Sequence, residues 1–202
     1  MLLYKVIIKH SKGLTMKNTS SRRNFLSKML ITGMSSVTLL STATYAKGKK
    51  RNNTPLTEEQ KDQLFFIYQE EKVARDVYIT LGNLYPSENT FASIQISEQR
   101  HIDSARGLCE KYAVDISSVD EDSVGNFILP VLQELYDTCV NEGKKSLLDA
   151  LKMGELIELT DIDDLERAAV GMPNDVANVY ENLKEGSLNH LDAFVTAISR
   201  EG

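Results

Sequence analysis

The sequence predicts an all-α domain, built as a bundle of four long helices with one extra short helix in the middle connection. Three observations carry this. Apolar residues recur at steps of three and four in five segments beyond residue 56. No alternating run of strand type occurs. Pro86, Asn141-Glu142-Gly143 and Gly171-Met172-Pro173 fall between the periodic segments. A length of 202 residues favours one domain with an extension, and 42% apolar residues exclude disorder of the whole chain. Two Cys exclude a four-Cys zinc site, a rubredoxin-type iron centre and a disulfide scaffold.

The first element is a leader, residues 1–46. Residues 20–28 read Ser-Ser-Arg-Arg-Asn-Phe-Leu-Ser-Lys, and an apolar run from Met29 to Leu40 leads to a small-residue stretch ending at Ala46. Arg22-Arg23 followed by Phe25-Leu26 resembles a twin-arginine signal. The resemblance implies a precursor handled by the twin-arginine export machinery and carried folded, with any cofactor inserted beforehand. The mature protein is then expected to be exported, periplasmic or extracytoplasmic. Met16 stands just before the signal, so residues 1–15 are expected to be an upstream over-extension of the reading frame. The apolar run is too short for a membrane span, and no stable anchor is expected after cleavage. Residues 47–55 hold nothing to bury and read as a flexible linker. The domain is expected over 56–202.

Thr57 with Gln60 three residues later reads as a capping box. Leu64, Ile67, Tyr68, Glu71, Ala74, Arg75, Tyr78 and Leu81 then lie on one face of a first helix, ending near Gly82. A second helix, capped by Thr90 or Ser87, carries Phe91, Ile94, Glu98, His101, Ala105, Leu108 and Tyr112 inward. Residues 113–126 are rich in Asp and Ser without a period, hence a loop. Phe127 to Val140 forms the short helix. Ser146 caps the next, with Leu148, Leu151, Glu155, Glu158 and Ile162 inward. Asn174 caps the last, with Val176, Val179, Leu183, Ser187, His190, Phe194 and Ala197 inward.

Charge is placed unevenly. Residues 1–46 hold seven Lys and Arg and no acid; the other 16 basic residues and all 29 acids lie in 47–202, for a net charge of −13. Such a body repels phosphate backbones, which argues against nucleic acid as a partner.

The residues that interrupt the apolar stripes carry the chemistry. Glu71, Glu98, His101, Glu155, Glu158 and His190 stand where Leu or Ile is expected, and a lone buried carboxylate is costly unless it is paired, protonated or bound to a metal. Glu98 and His101 are three apart, about 60° around a helix and one turn along it, so both reach one ion. Glu155 and Glu158 repeat the spacing. Carboxylates with imidazole suit iron, manganese or zinc. A Glu on one helix, Glu-x-x-His on another and their counterparts across a bundle form the pattern of di-metal carboxylate proteins. Beyond the leader the only His are His101 and His190. Tyr78 reads as core packing, with a hydrogen bond to the ligands as the functional option. Cys109 and Cys139 read equally as two buried thiols or as a disulfide.

Three motifs resemble the ligand helices of rubrerythrin-type ferritin-like proteins: Glu71-Lys-Val-Ala-Arg-Asp-Val-Tyr78, Ile96-Ser-Glu98-Gln-Arg-His101 and Gly154-Glu155-Leu-Ile-Glu158. Gly186-Ser187-Leu-Asn-His190-Leu, Leu135-Tyr136 and Asp161-Ile162-Asp163-Asp164-Leu165 resemble an uncharacterised ferritin-like domain family. The resemblance spans about residues 56–200 and implies a centre of two ions, iron or manganese, reactive with oxygen or peroxide. It departs at the last helix, where Ser187 stands for the Glu of Glu-x-x-His. Glu181, nine residues from His190, lies about 180° around the helix and cannot replace it; Glu185 is off the inner face as well. Ferroxidase, peroxidase or catalase-like activity is one reading. A non-enzymatic metal-binding or structural bundle is the second, and a buried salt network in an interaction module the third. The sequence leaves a homo-oligomer open.

Overall fold

The computed structural model describes residues 55–202; the leader and most of the linker lie outside the described residues. Five helices follow one another: α1 (Glu58–Leu84), α2 (Asn89–Lys111), α3 (Pro130–Gly143), α4 (Leu147–Ala168) and α5 (Asn174–Glu201). The described residues contain no strand. α1 with α2 and α4 with α5 form two antiparallel pairs, and α1 packs on α4 while α2 packs on α5, closing a four-helix bundle. The short α3 sits in the connection between the pairs and packs on α1 and α4. No helix among the described residues is long and apolar enough to cross a membrane.

Local chemistry sets the helix ends. Thr57 and Gln60 form the reciprocal capping box on α1, and the Ser146 hydroxyl accepts from Asp149 N at the start of α4. Three starts differ from expectation. Glu88 caps α2, its carboxylate accepting from Thr90 N. α5 begins with Pro173 at the cap position and no side-chain cap. α3 starts at Pro130 rather than Phe127, because proline has its φ preset for a first helical position and no N–H to leave unpaired.

The core is divided in two. Val73, Val77, Tyr78, Leu81, Phe91, Leu151 and Phe194 pack at one level, and Leu64, Ile67, Tyr68, Ile102, Leu165, Tyr180 and Leu183 at another. The first level is centred on an aromatic trio, with Tyr78–Phe194 centroids 5.1 Å apart and Phe91–Phe194 5.6 Å apart. Tyr78 also reaches the polar layer of the bundle through its hydroxyl.

The rotation of α4 differs from the expected one. Its buried residues are Ala150, Leu151, Gly154, Ile157, Glu158, Asp161, Leu165 and Ala168, while Leu148, Glu155 and Ile162 are only half-buried. The cause is Gly154. A Cβ there would lie 2.3 Å from the Phe194 ring, so α5 can approach α4 only along the glycine. Gly154→Ala is expected to destabilise the domain by about 1–3 kcal/mol, less whatever fraction of about 1 kcal/mol alanine gains in helix propensity. The midpoint of urea unfolding measures this; an unchanged midpoint would mean that the Phe194 ring can retreat.

α1 is buried on all sides from Gln69 to Tyr78. Segment 113–129 wraps its outer side. Lys72, fully buried, donates to Asp76 Oδ2 at 2.6 Å and to Ser123 O at 2.8 Å, and lies 4.5 Å from the centre of the Phe127 ring. Arg75 donates to Asp76 Oδ1 and to Glu121 O, and Asp76 accepts from Gly125 N.

Candidate metal centre

Four helices send polar side chains inward. α1 provides Glu71, α2 Glu98 and His101, α4 Glu158 and Asp161, α5 Ser187 and His190; all are buried. Glu98 is the hub, with Oε2 3.0 Å from His101 Nδ1 and Oε1 2.8 Å from His190 Nδ1. Glu71 Oε2 approaches His101 Nδ1 to 3.2 Å, and Glu158 Oε2 approaches His190 Nδ1 to 3.5 Å. The two imidazoles stack, with centroids 5.2 Å apart and planes 28° apart. Gly186 makes this possible, since a Cβ there would lie 2.4 Å from His101 Nε2. Tyr78 donates to Glu158 Oε1 at 2.6 Å, so it serves both the apolar core and the polar layer. Ser187 donates to Asp161 Oδ2 at 2.6 Å.

Several of these atoms lack alignment for hydrogen bonds. Glu98 Oε1 and His190 Nδ1 are close, yet neither makes one, and Glu71 Oε1 and Asp161 Oδ1 have no partner. An unsatisfied buried polar atom costs about 1–3 kcal/mol, so the two bare oxygens, Glu71 Oε1 and Asp161 Oδ1, call for a proton or a cation. Donor atoms of Glu98, His101 and His190 lie within 4.8 Å of one another and could hold a metal ion. Two donors each ~2.1 Å from an ion at right angles are ~3.0 Å apart, which the contacts around Glu98 match.

The electrostatics are those of crowded acids. Burial, the largest influence, pushes Glu158 up to about 8, with Glu98 adding to it, and also raises Glu71 and Asp161. Burial also opposes the charge on Glu98, but His101 and His190 outweigh it and hold that carboxyl at about 2. Burial lowers both imidazoles, yet their carboxylate neighbours raise His101 to about 11 and His190 to about 9. Without a metal, protons balance the layer.

Of the residues expected at this site, Glu71, Glu98, His101, Glu158 and His190 come together. Glu155 does not. It is half-buried and has no hydrogen bond or ion pair, because the rotation of α4 set by Gly154 turns it aside. Asp161 stands inward instead. Its place, three residues beyond Glu158, repeats the spacing of Glu98 and His101 and is the signal that could have revealed it. Glu70 was also missed. It is buried with Oε2 unpartnered, and burial together with Asp164 and Asp161 raises its carboxyl well above the usual range. Glu181 is exposed and pairs with Lys184 on the surface. Cys109 and Cys139 are free buried thiols in different core levels, not a disulfide.

Fold and site together define a helical bundle with a buried carboxylate and histidine cluster able to hold a metal ion. The chain belongs to the family described as uncharacterized protein domain (DUF2202), which matches residues 60–202. It is 45% identical over 149 residues to the uncharacterized protein MJ0754 of Methanocaldococcus jannaschii, covering 73% of this chain and 80% of that protein. The crystal structure of hypothetical protein MJ0754 from Methanococcus jannaschii DSM 2661 is similar to it with a TM-score of 0.70 and 41% identity, covering 79% of this chain and 87% of that one.

Proposed function

We propose that the protein is a ferritin-like metalloprotein that binds two transition-metal ions, iron or manganese, between its helices, and that the leader sends it out of the cytoplasm. One observation carries the metal reading: Glu98 directs one carboxylate oxygen at each of two stacked imidazoles, through Nδ1 in both cases. Such an arrangement would suit a carboxylate shared between two ions with one histidine for each. Glu71, beside His101, and Glu158, beside His190, would complete the two sides. Iron or manganese held there would supply redox chemistry toward oxygen or peroxide.

The chain's own groups prepare the site. The Tyr78 hydroxyl fixes the Glu158 carboxyl, and Gly186 lets His101 turn Nδ1 toward Glu98 and Glu71. At neutral pH, His101 at about 11 and His190 at about 9 carry protons that an ion must displace. Affinity for Mn(II) is therefore expected to rise with pH, about tenfold per pH unit for each proton displaced. Titration calorimetry in buffers of different ionisation enthalpy measures the protons released, and elemental analysis gives the metal per chain. A protein that binds no Fe(II) or Mn(II) and keeps its stability would instead hold a buried salt network at this level. Consumption of peroxide by the iron-loaded or manganese-loaded protein separates an enzyme from a metal-binding structural bundle.

A further inference from the structure

The family pattern leaves one side of the site short of a carboxylate, because Ser187 stands at the position one turn before His190. The structure places another acid in that gap. Asp161 on α4 lies against Ser187, whose single hydroxyl proton goes to Asp161 Oδ2 at 2.6 Å, the shorter of its two contacts; Leu183 O on its own helix is farther, at 3.1 Å. Asp161 is 4% exposed, and its other oxygen, Oδ1, is buried without a hydrogen-bond partner. Glu71 Oε1, from α1, is likewise buried and unpartnered. A carboxylate with one oxygen tied by a hydroxyl and the other bare is oriented to receive a cation. The helix spacing agrees: Glu158 and Asp161 are three apart on α4, as Glu98 and His101 are on α2, so each pair presents two donors one turn apart.

Resting on the two-ion reading, we propose that Asp161 is a metal ligand supplied by α4 in place of the absent carboxylate of α5, and that Ser187 is the positioning residue that orients it. The ligand set is then Glu71, Glu98, His101, Glu158, Asp161 and His190. Charge supports the assignment. Four carboxylates and two neutral imidazoles balance two divalent cations, whereas three carboxylates leave a buried excess of one positive charge. The carboxylate of Glu155 is not needed, in keeping with its position off the inner face.

The test uses the full chain, freed of metal and titrated with Mn(II) alone, comparing wild type, Asp161→Asn and Ser187→Ala. Metal per chain is measured after removal of excess ion, with melting temperature followed with and without Mn(II). Wild type is expected to bind two ions and Asp161→Asn one. Asn keeps the shape and cannot ionise among the crowded acids, so metal-free Asp161→Asn should melt at or above the wild-type temperature while gaining less from Mn(II). Ser187→Ala should weaken the second ion about 10–100-fold and leave the first unchanged, an asymmetry that a merely structural serine would not produce. Two ions at wild-type affinity in both variants overturn the assignment and leave the metal reading standing. One ion in the wild type overturns the assignment as well, and no ion overturns both. Should Asp161→Asn fail to fold, the second-ion affinity of Ser187→Ala decides.

Discussion

Replacing Glu98 with alanine is expected to strip the protein of most of its metal and to lower its stability by about 3 kcal/mol. Among the described residues Glu98 is the acid paired with both imidazoles, its oxygens 3.0 Å from His101 Nδ1 and 2.8 Å from His190 Nδ1. Without it, each side of the centre loses a donor at once. Two buried imidazoles also lose their shared counter-charge, and breaking a buried pair costs about 3–5 kcal/mol; the imidazoles can shed protons, which sets the expectation at the low end. For a domain of this size that corresponds to a fall of roughly 6–12 °C in Tm. Elemental analysis and thermal unfolding measure the two effects. Glu181→Ala is the control: it removes an exposed partner of Lys184 and should stay within about 0.5 kcal/mol of wild type with full metal content. Full metal in Glu98→Ala would disprove its place at the hub.

Lys72→Met should give a loss of similar or greater size, about 3–5 kcal/mol, by a separate route. The Lys72 ammonium is fully buried and donates to Asp76, Ser123 O and Asn126 O. Methionine fills much the same volume and donates nothing. Asp76 then keeps Arg75 and Gly125 N but loses its closest cation, and two carbonyls of segment 113–129 lose their donor. Hydrogen exchange should report this as faster exchange at Gly125 and its neighbours, with denaturant unfolding giving the free energy. Metal content should hold at low temperature, since the Lys72 ammonium is bonded to Asp76 and to segment 113–129 and makes no hydrogen bond to the side chains around Glu98. If Lys72→Met matches the wild type in stability, segment 113–129 is held by something other than this ion pair.

Helix existence and most helix faces were legible in the sequence, because both rest on local rules. Period set α1 and α2, the capping box of Thr57 and Gln60 marked the start of α1, and the one-turn spacing of Glu98 and His101 set their shared direction. The buried charges on the back of α1 were not legible. Lys72 and Asp76 look like a solvated pair four residues apart, and only a wrapping segment that lies far along the chain buries them. Glu70 was hidden for a different reason: it is buried beside Asp161 and Asp164 of α4, a packing that the period of α1 does not reveal.

The α4 acids show where the boundary falls. The sequence by itself determined that this segment is a helix and that Glu155, Glu158 and Asp161 stand at fixed angles to one another, because 3.6 residues per turn is a property of the backbone alone. Only the tertiary structure decided that Glu158 and Asp161 face inward and Glu155 does not. Rotation of a helix about its own axis is set by what its neighbours can accommodate. Here the Phe194 ring of α5 fits against α4 only at Gly154, a residue whose missing side chain leaves no mark in an apolar periodicity.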